Sequence, residues 1–125
     1  MDRVGGGGAS LNLFASRLTG NTAVSNGGGL IAFSSGAVVL IDSSTIDNNT
    51  GFQGGGLLVG DTVSVVNSTI SGNTASGGSG GGIRVSSGAT LDLTNVTITA
   101  NNASAGNDNA SAGNDGGVSV AGGTV

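Results

Sequence analysis

The chain has 125 residues, enough for one domain, with 27 glycines, 36% hydrophobic residues and only 8% charged residues. This balance argues against intrinsic disorder, which goes with low hydrophobicity and high charge. The net charge of −4 argues against nucleic-acid binding, and the chain has no apolar run of the ~18 residues that a membrane-spanning helix needs.

The predicted elements are short strands that recur along the chain. Asp2 and Val4 match the tail of a preceding apolar pair, and the alternating Leu11 and Leu13 fill the place of the second apolar pair in the first repeat. A third short strand carries Leu18, and a Gly-, Ser- and Asn-rich segment then leads into a new repeat. Short β-branched runs cut by such residues are typical of strands and turns.

Each of the next three repeats has the same order: a glycine triplet, an apolar pair, a second apolar pair, and an Ile-x-x-Asn element. Because side chains alternate between the two faces of a strand, stacked repeats should bury columns of aliphatic side chains. The predicted columns are Leu30, Leu57, Ile83 and Val118; Leu11, Val39, Val63 and Leu91; Leu13, Ile41, Val65 and Leu93; and Leu18, Ile46, Ile70 and Ile98.

The predicted fold is all-β: a right-handed parallel β-helix, or β-solenoid, of about four coils with three short strands per coil. The handedness is inferred from the length of the repeat. Four aliphatic columns make a narrow core that aromatic side chains would overfill. The glycine triplets suit corners that need positive φ or close backbone approach.

A column of asparagines ends the Leu/Ile-x-x-Asn elements. Asparagine tolerates left-handed backbone geometry at turns, and stacked asparagine side chains can bond along a parallel ladder. The column comprises Asn21, Asn49, Asn73 and Asn101.

Residues 1–125 are predicted to form a single β-helix segment, a fragment of a longer solenoid. Residues 102–117 are predicted to form an extended surface loop, because this segment carries a near-perfect tandem duplication of Ala-Ser-Ala-Gly-Asn-Asp. The simple interpretation is a tolerant surface loop. The alternative is a displayed binding loop with Asp108 and Asp115 as cation contacts.

The charged residues do not predict a catalytic site. The chain has no histidine, and Asp42, Asp47, Asp61 and Asp92 share no column of the repeat, so their carboxylates are not expected to converge. Asp42 and Asp47 are expected to be exposed solubilising charges, and Arg84 an outward, solvated one. We therefore predict no catalytic, cofactor-binding or metal-binding residues in this chain.

The three segments that join an asparagine element to the next glycine triplet resemble a known repeat. They are LTGNTAVSNGGGL (residues 18–30), IDNNTGFQGGGL (46–57) and ISGNTASGGSGGGI (70–83). They are similar to the polymorphic outer membrane protein repeat, which pairs Phe-x-x-Asn with Gly-Gly-Ala-aliphatic, although Ile or Leu stands here for Phe and Gly for Ala. They also resemble autotransporter passengers and large surface adhesins. The resemblance implies an exported, surface-exposed region of a larger protein.

The predicted function is therefore a structural or adhesive segment of a secreted or outer-membrane β-helix protein, without catalysis. A host surface, a glycan or a protein receptor is the expected partner, together with self-association through open solenoid ends. Two alternatives stay open. One is the non-catalytic coils of a pectate-lyase-like, polysaccharide-active enzyme, and the other is ice binding through outward residue pairs. Those pairs are Arg17/Thr19, Thr45/Asp47, Thr69/Ser71 and Thr97/Thr99.

Overall fold

The computed structural model describes residues 2–4, 8–33, 35–104 and 117–125, and the regular elements in this part of the chain are all β-strands. They are short because glycine, asparagine and serine interrupt each run of β-branched residues or leucine. The strands are β1 (Asp2–Val4), β2 (Ser10–Phe14), β3 (Arg17–Thr19), β4 (Leu30–Ala32), β5 (Val38–Asp42), β6 (Thr45–Asp47), β7 (Thr50–Gly51), β8 (Leu57–Val59), β9 (Thr62–Val66), β10 (Thr69–Ser71), β11 (Thr74–Ala75), β12 (Ile83–Val85), β13 (Thr90–Thr94), β14 (Thr97–Thr99), β15 (Asn102–Ala103) and β16 (Val118–Val120).

The strands form four parallel sheets that run the length of a solenoid. Sheet A has the order β1-β4-β8-β12-β16, sheet B β2-β5-β9-β13, sheet C β3-β6-β10-β14, and sheet D β7-β11-β15. Sheets A, B and C confirm the three predicted strands per coil, and sheet D adds a two-residue strand. Sheets B and C each contain four strands, one from each passage of the chain. Four passages enclose about three complete turns, whereas the sequence predicts about four coils.

The strand register confirms all four predicted columns. In the fourth, Leu18 pairs with Ile46, Ile46 with Ile70 and Ile70 with Ile98. Column members in the middle coils are fully or almost fully buried, while several members in the outer coils, such as Leu18 and Ile98, are partly buried. Each fully buried Leu or Ile contributes about 1.5–3 kcal/mol of transfer free energy. The stacked aliphatic rows are therefore the core of the molecule.

The glycine triplets do both things predicted for them. The first glycine of each triplet has a left-handed backbone, with φ of 69° at Gly27, 59° at Gly54 and 72° at Gly80. The second glycine packs against backbone of the next coil. A Cβ at Gly28 or Gly55 would overlap that backbone. Each triplet therefore makes the corner that leads into sheet A, and no larger residue fits there without strain.

The three phenylalanines lie outside the narrow core. Phe14, Phe33 and Phe52 are all exposed, and the rings of Phe33 and Phe52 lie against Gly60 and Gly77 of the following coil. In the predicted loop 102–117, the first two residues form β15 and pair with β11. Residues 105–116 of that loop lie outside the described residues, and with them both Asp108 and Asp115.

Candidate functional site

The most organised polar feature of the chain is a ladder of four asparagines at the corner between sheets C and D. The Nδ2 of Asn21 donates to Oδ1 of Asn49, that of Asn49 to Asn73, and that of Asn73 to Asn101, each at 3.0 Å. The backbone N–H of each donor residue bonds to the same oxygen. The side chains of Asn49 and Asn73 are fully buried. The prediction that stacked asparagines bond along the solenoid is confirmed.

The other reason predicted for the asparagine column is wrong. The ladder residues do not have left-handed backbones; the residues directly before them do, with φ of 68° at Gly20, 54° at Asn48, 63° at Gly72 and 53° at Ala100. The left-handed residue turns the chain, and the asparagine that follows it points inward. An asparagine amide suits this position because it has both donors and an acceptor. Each inward side chain must form hydrogen bonds with buried backbone groups as well as with the asparagines of the neighbouring coils.

A second ladder, of serines, connects sheets B and C and was not predicted. The backbone N–H of Ser16 donates to Oγ of Ser44, and that of Ser44 donates to Oγ of Ser68. The sequence pattern that could have predicted this ladder is a serine two residues before the fourth-column aliphatic residue in three successive coils. It ends in the fourth coil, where Val96 takes the place of serine.

Arg17 and Asp47 form a bidentate ion pair across two coils on the outer face of sheet C. The Nε and Nη2 of Arg17 lie 2.9 and 2.5 Å from Oδ1 and Oδ2 of Asp47. Hydrogen bonds from Arg17, together with those from Thr19 and Asn48, hold the pKa of Asp47 below its usual value. The prediction that Asp47 is an exposed charge is wrong, because its side chain is only 7% exposed beneath a guanidinium that is itself 62% exposed.

Arg84 lies between inward Ile83 and Val85, so its outward position is confirmed, but it is not fully solvated. Its Nη1 donates to the hydroxyl oxygens of Ser79 and Ser119, and its side chain is half-buried. The physical reason is that the glycine corner at residues 79–80 folds back beside β12 and brings a serine to the guanidinium. Arg84 therefore ties a corner to its sheet.

Among the described residues, Asp42, Asp47, Asp61 and Asp92 share no position in the repeat, as the sequence predicted. Asp42 pairs in register with Val66, Asp47 with Ser71, and Asp92 with Ser64. Asp61 lies in a turn, where Oδ2 accepts the backbone N–H of Ala37 at 2.9 Å. Within the part of the chain that the structure describes, no three His, Cys, Asp or Glu residues lie where they could hold a metal ion together.

The outer faces of the sheets differ in character. Sheet C presents Thr and Ser in two rows, which the ion pair of Arg17 and Asp47 interrupts at one end. Sheet B presents exposed apolar side chains at Phe14, Val38 and Leu40. Among the described residues, none belongs to a helix of the length and apolarity needed to cross a bilayer.

A family profile described as "Right handed beta helix region" matches residues 3–125, almost the whole chain. No curated protein and no solved structure matches the chain. The family match agrees with the parallel register of the four sheets and supplies the handedness of the solenoid. The specific likeness to autotransporter passengers stays a prediction.

Proposed function

Because the chain belongs to the right-handed β-helix family, we propose that it is a structural and adhesive segment of a surface-displayed protein, without chemistry of its own. The observation that carries the proposal is the repetition of identical contacts from coil to coil. Aliphatic columns, the asparagine ladder and the glycine corners connect each coil to the next in the same way. Such a stack is a rigid spacer, since every repeat packs only against its neighbours.

The outer face of sheet B supports the adhesive part of the proposal. Val38 is 53% exposed, Leu40 38% and Phe14 68%, and they lie on the adjacent strands β2 and β5. Apolar side chains that cluster on an exposed face are typical of contact surfaces. A partner protein or glycan that covers these side chains would remove their apolar surface from water. The solenoid would not need to change its structure for this contact.

The ion pair and the low charge fit exposure at a cell surface. Arg17 neutralises Asp47, so sheet C presents a nearly neutral, hydroxyl-rich face. The protein is therefore proposed to be secreted or held at the cell surface. Antibody labelling of intact cells that make the protein tests this location directly: the segment should be labelled from outside, and labelling only after lysis would contradict it.

The adhesive role is tested with beads that carry the purified chain and are offered host cells, immobilised glycans and immobilised host proteins. Val38→Ser with Leu40→Ser should abolish bead attachment. Val24→Ser is the matched control, because Val24 is 99% exposed but lies in a corner away from sheet B. Equal attachment by all variants would contradict the assigned face.

The same purified chain distinguishes the alternatives. Release of unsaturated products from polygalacturonate would overturn the non-catalytic assignment in favour of a polysaccharide-active enzyme. Shaping of growing ice crystals would instead favour the hydroxyl rows of sheet C. The proposal expects neither activity.

A further inference from the structure

The outward face of sheet B carries negative charge and no positive charge. Each of its four strands turns its first, third and fifth residues outward. Among these outward residues the charged ones are Asp42 and Asp92, and none is basic. Asp92 lies among hydroxyl groups, since Ser64 is its register neighbour and Thr90 and Thr94 flank it on β13. Asp92 is therefore a charge among polar groups, whereas Asp42 is not.

Asp42 lies among the apolar side chains of the proposed contact face. Its register neighbours are Phe14 on β2 and Val66 on β9, each one strand away at about 4.8 Å. Leu40 lies two residues earlier on β5, about 6.6 Å away on the same side of the strand. Asp42 is half-buried, and its Oδ1 accepts a hydrogen bond from Oγ of Ser43 at 2.9 Å. The contact face therefore encloses one carboxylate.

Asp42 has no cationic partner among the residues whose side chains the structure describes. Within that part of the chain, the one ion pair joins Arg17 to Asp47 on sheet C. Arg84 lies on sheet A, where its guanidinium donates to Ser79. Neither guanidinium therefore compensates the charge on sheet B.

This carboxylate restricts which partner can cover the apolar side chains. A partner that buries Phe14 and Leu40 also removes the carboxylate of Asp42 from water, because the three side chains are neighbours on one face. A buried charge is costly unless an opposite charge and hydrogen bonds compensate for it. A neutral partner would gain the apolar contacts but would lose part of that free energy to the desolvation of Asp42.

We propose that the partner of sheet B is a protein segment that places an arginine side chain over Phe14, with its guanidinium against Asp42. The proposal rests on the adhesive role proposed for this face. A guanidinium is planar and weakly hydrated, so its face stacks on an aromatic ring while its edge bonds to a carboxylate. Oδ1 of Asp42 accepts from Ser43, and Oδ2 accepts no hydrogen bond within the described part of the chain. Apolar residues beside the arginine cover Leu40 and Val38.

The charge of the whole chain and the chemistry of the patch act at different ranges. The net charge of −4 attracts any basic segment from a distance, and added salt screens this attraction. The neighbouring ring and carboxylate of Phe14 and Asp42 act only on contact. They favour arginine over lysine, because an ammonium group is a compact, strongly hydrated charge without a planar face.

Surfaces coated with three synthetic peptides test the chemistry of the partner. The peptides share one sequence of leucine and glycine with a single variable residue, which is arginine, lysine or citrulline. Citrulline has nearly the shape of arginine but no charge. Beads that carry the purified chain bind through many copies at once, so weak contacts become measurable. The beads should attach best to the arginine surface, less well to lysine and only at background level to citrulline. Equal attachment to arginine and citrulline, or to arginine and lysine, would overturn the proposal.

Matched variants locate the contact by titration of the fluorescently labelled arginine peptide. Asp42→Asn should weaken its binding about tenfold or more, because hydrogen bonds to charged groups are strong. Asp92→Asn removes the same charge from the same face and should weaken binding less than about twofold. Phe14→Leu preserves an apolar side chain without the ring and should weaken binding about two- to fivefold. Equal losses from the two asparagine variants would indicate general attraction to a negative chain and would overturn the proposal.

Host cells and immobilised host proteins separate this proposal from the adhesive role. Bead attachment that is lost in Val38→Ser with Leu40→Ser and also in Asp42→Asn, but kept in Asp92→Asn, supports both. Attachment that needs Val38 and Leu40 but not Asp42, to a protein or to a neutral glycan, would leave the face adhesive and overturn the arginine contact. Far-UV circular dichroism confirms that each variant is folded.

Discussion

Replacing Asn73 by alanine should destabilise the protein about as much as the same change at Asn49 and far more than the loss of an exposed polar side chain. Asn73 is fully buried, and its side chain makes four hydrogen bonds: two accepted from Asn49, and two donated, to Ile46 and Asn101. At about 0.5–1.5 kcal/mol for each bond, their loss amounts to about 2–6 kcal/mol. That is a large part of the about 5–15 kcal/mol by which a typical domain is stable.

The assay is urea unfolding followed by far-UV circular dichroism, which gives the free energy of unfolding for each variant. Asn12→Ala is the matched control, because Asn12 is exposed on the outer face of sheet B and should change stability by less than about 0.5 kcal/mol. Asn73→Asp sharpens the test. The aspartate keeps an oxygen that accepts hydrogen bonds from Asn49. Its second carboxylate oxygen, however, replaces the donor to Ile46 and faces the carbonyl oxygen of that residue. Equal stability of Asn73→Ala and Asn12→Ala would refute the role of the ladder.

Three further predictions concern the core, the ion pair and the corners. Ile70→Asp should prevent cooperative folding, seen as rapid proteolysis, because an uncompensated buried charge costs about 3–5 kcal/mol; a folded variant would show that Ile70 is not in a dry column. The lowered pKa of Asp47 means that its contribution to stability is present above its ordinary value of 3.8 and is lost as pH falls through the lower folded value. Arg17→Met should weaken the dependence of the urea unfolding midpoint on pH in this acidic range. An unchanged pH dependence would contradict the ion pair of Arg17 and Asp47. Gly54→Ala should destabilise the protein more than Gly88→Ala in the same urea assay, because both have positive φ but only the Cβ at Gly54 meets backbone, 2.7 Å from the oxygen of Leu57; equal losses would show that close approach is unimportant.

Most of the fold could be predicted because its core obeys two simple periods. Alternation along each strand identified which of two neighbours is inward, and the recurring Ile-x-x-Asn element aligned one coil with the next. The register of Ile46 with Ile70 and of Val63 with Leu91 follows from those two facts. Sheet D was missed because a strand of two residues, such as Thr50–Gly51, carries no alternation to recognise.

The polar details were harder to predict because their partners are distant in sequence. The sequence predicts an exposed charge at Asp47, since its own strand places the side chain outward. It is covered only because Arg17, in the preceding coil, reaches across the face of sheet C. The serine ladder was missed for a related reason. Serine is common throughout the chain, so Ser44 and Ser68 become notable only when the register places one above the other.

The measurement that tests the central claim most directly is a set of methyl–methyl nuclear Overhauser contacts in the fourth column. With isoleucine and leucine methyls labelled, Ile70 should show contacts to both Ile46 and Ile98, and Ile46 to Leu18. These neighbours are 24 residues apart in sequence for Ile46 and Ile70, and 28 for the other two pairs. Contacts of Ile70 only with residues of its own coil, or methyls that face water, would contradict the stacked solenoid.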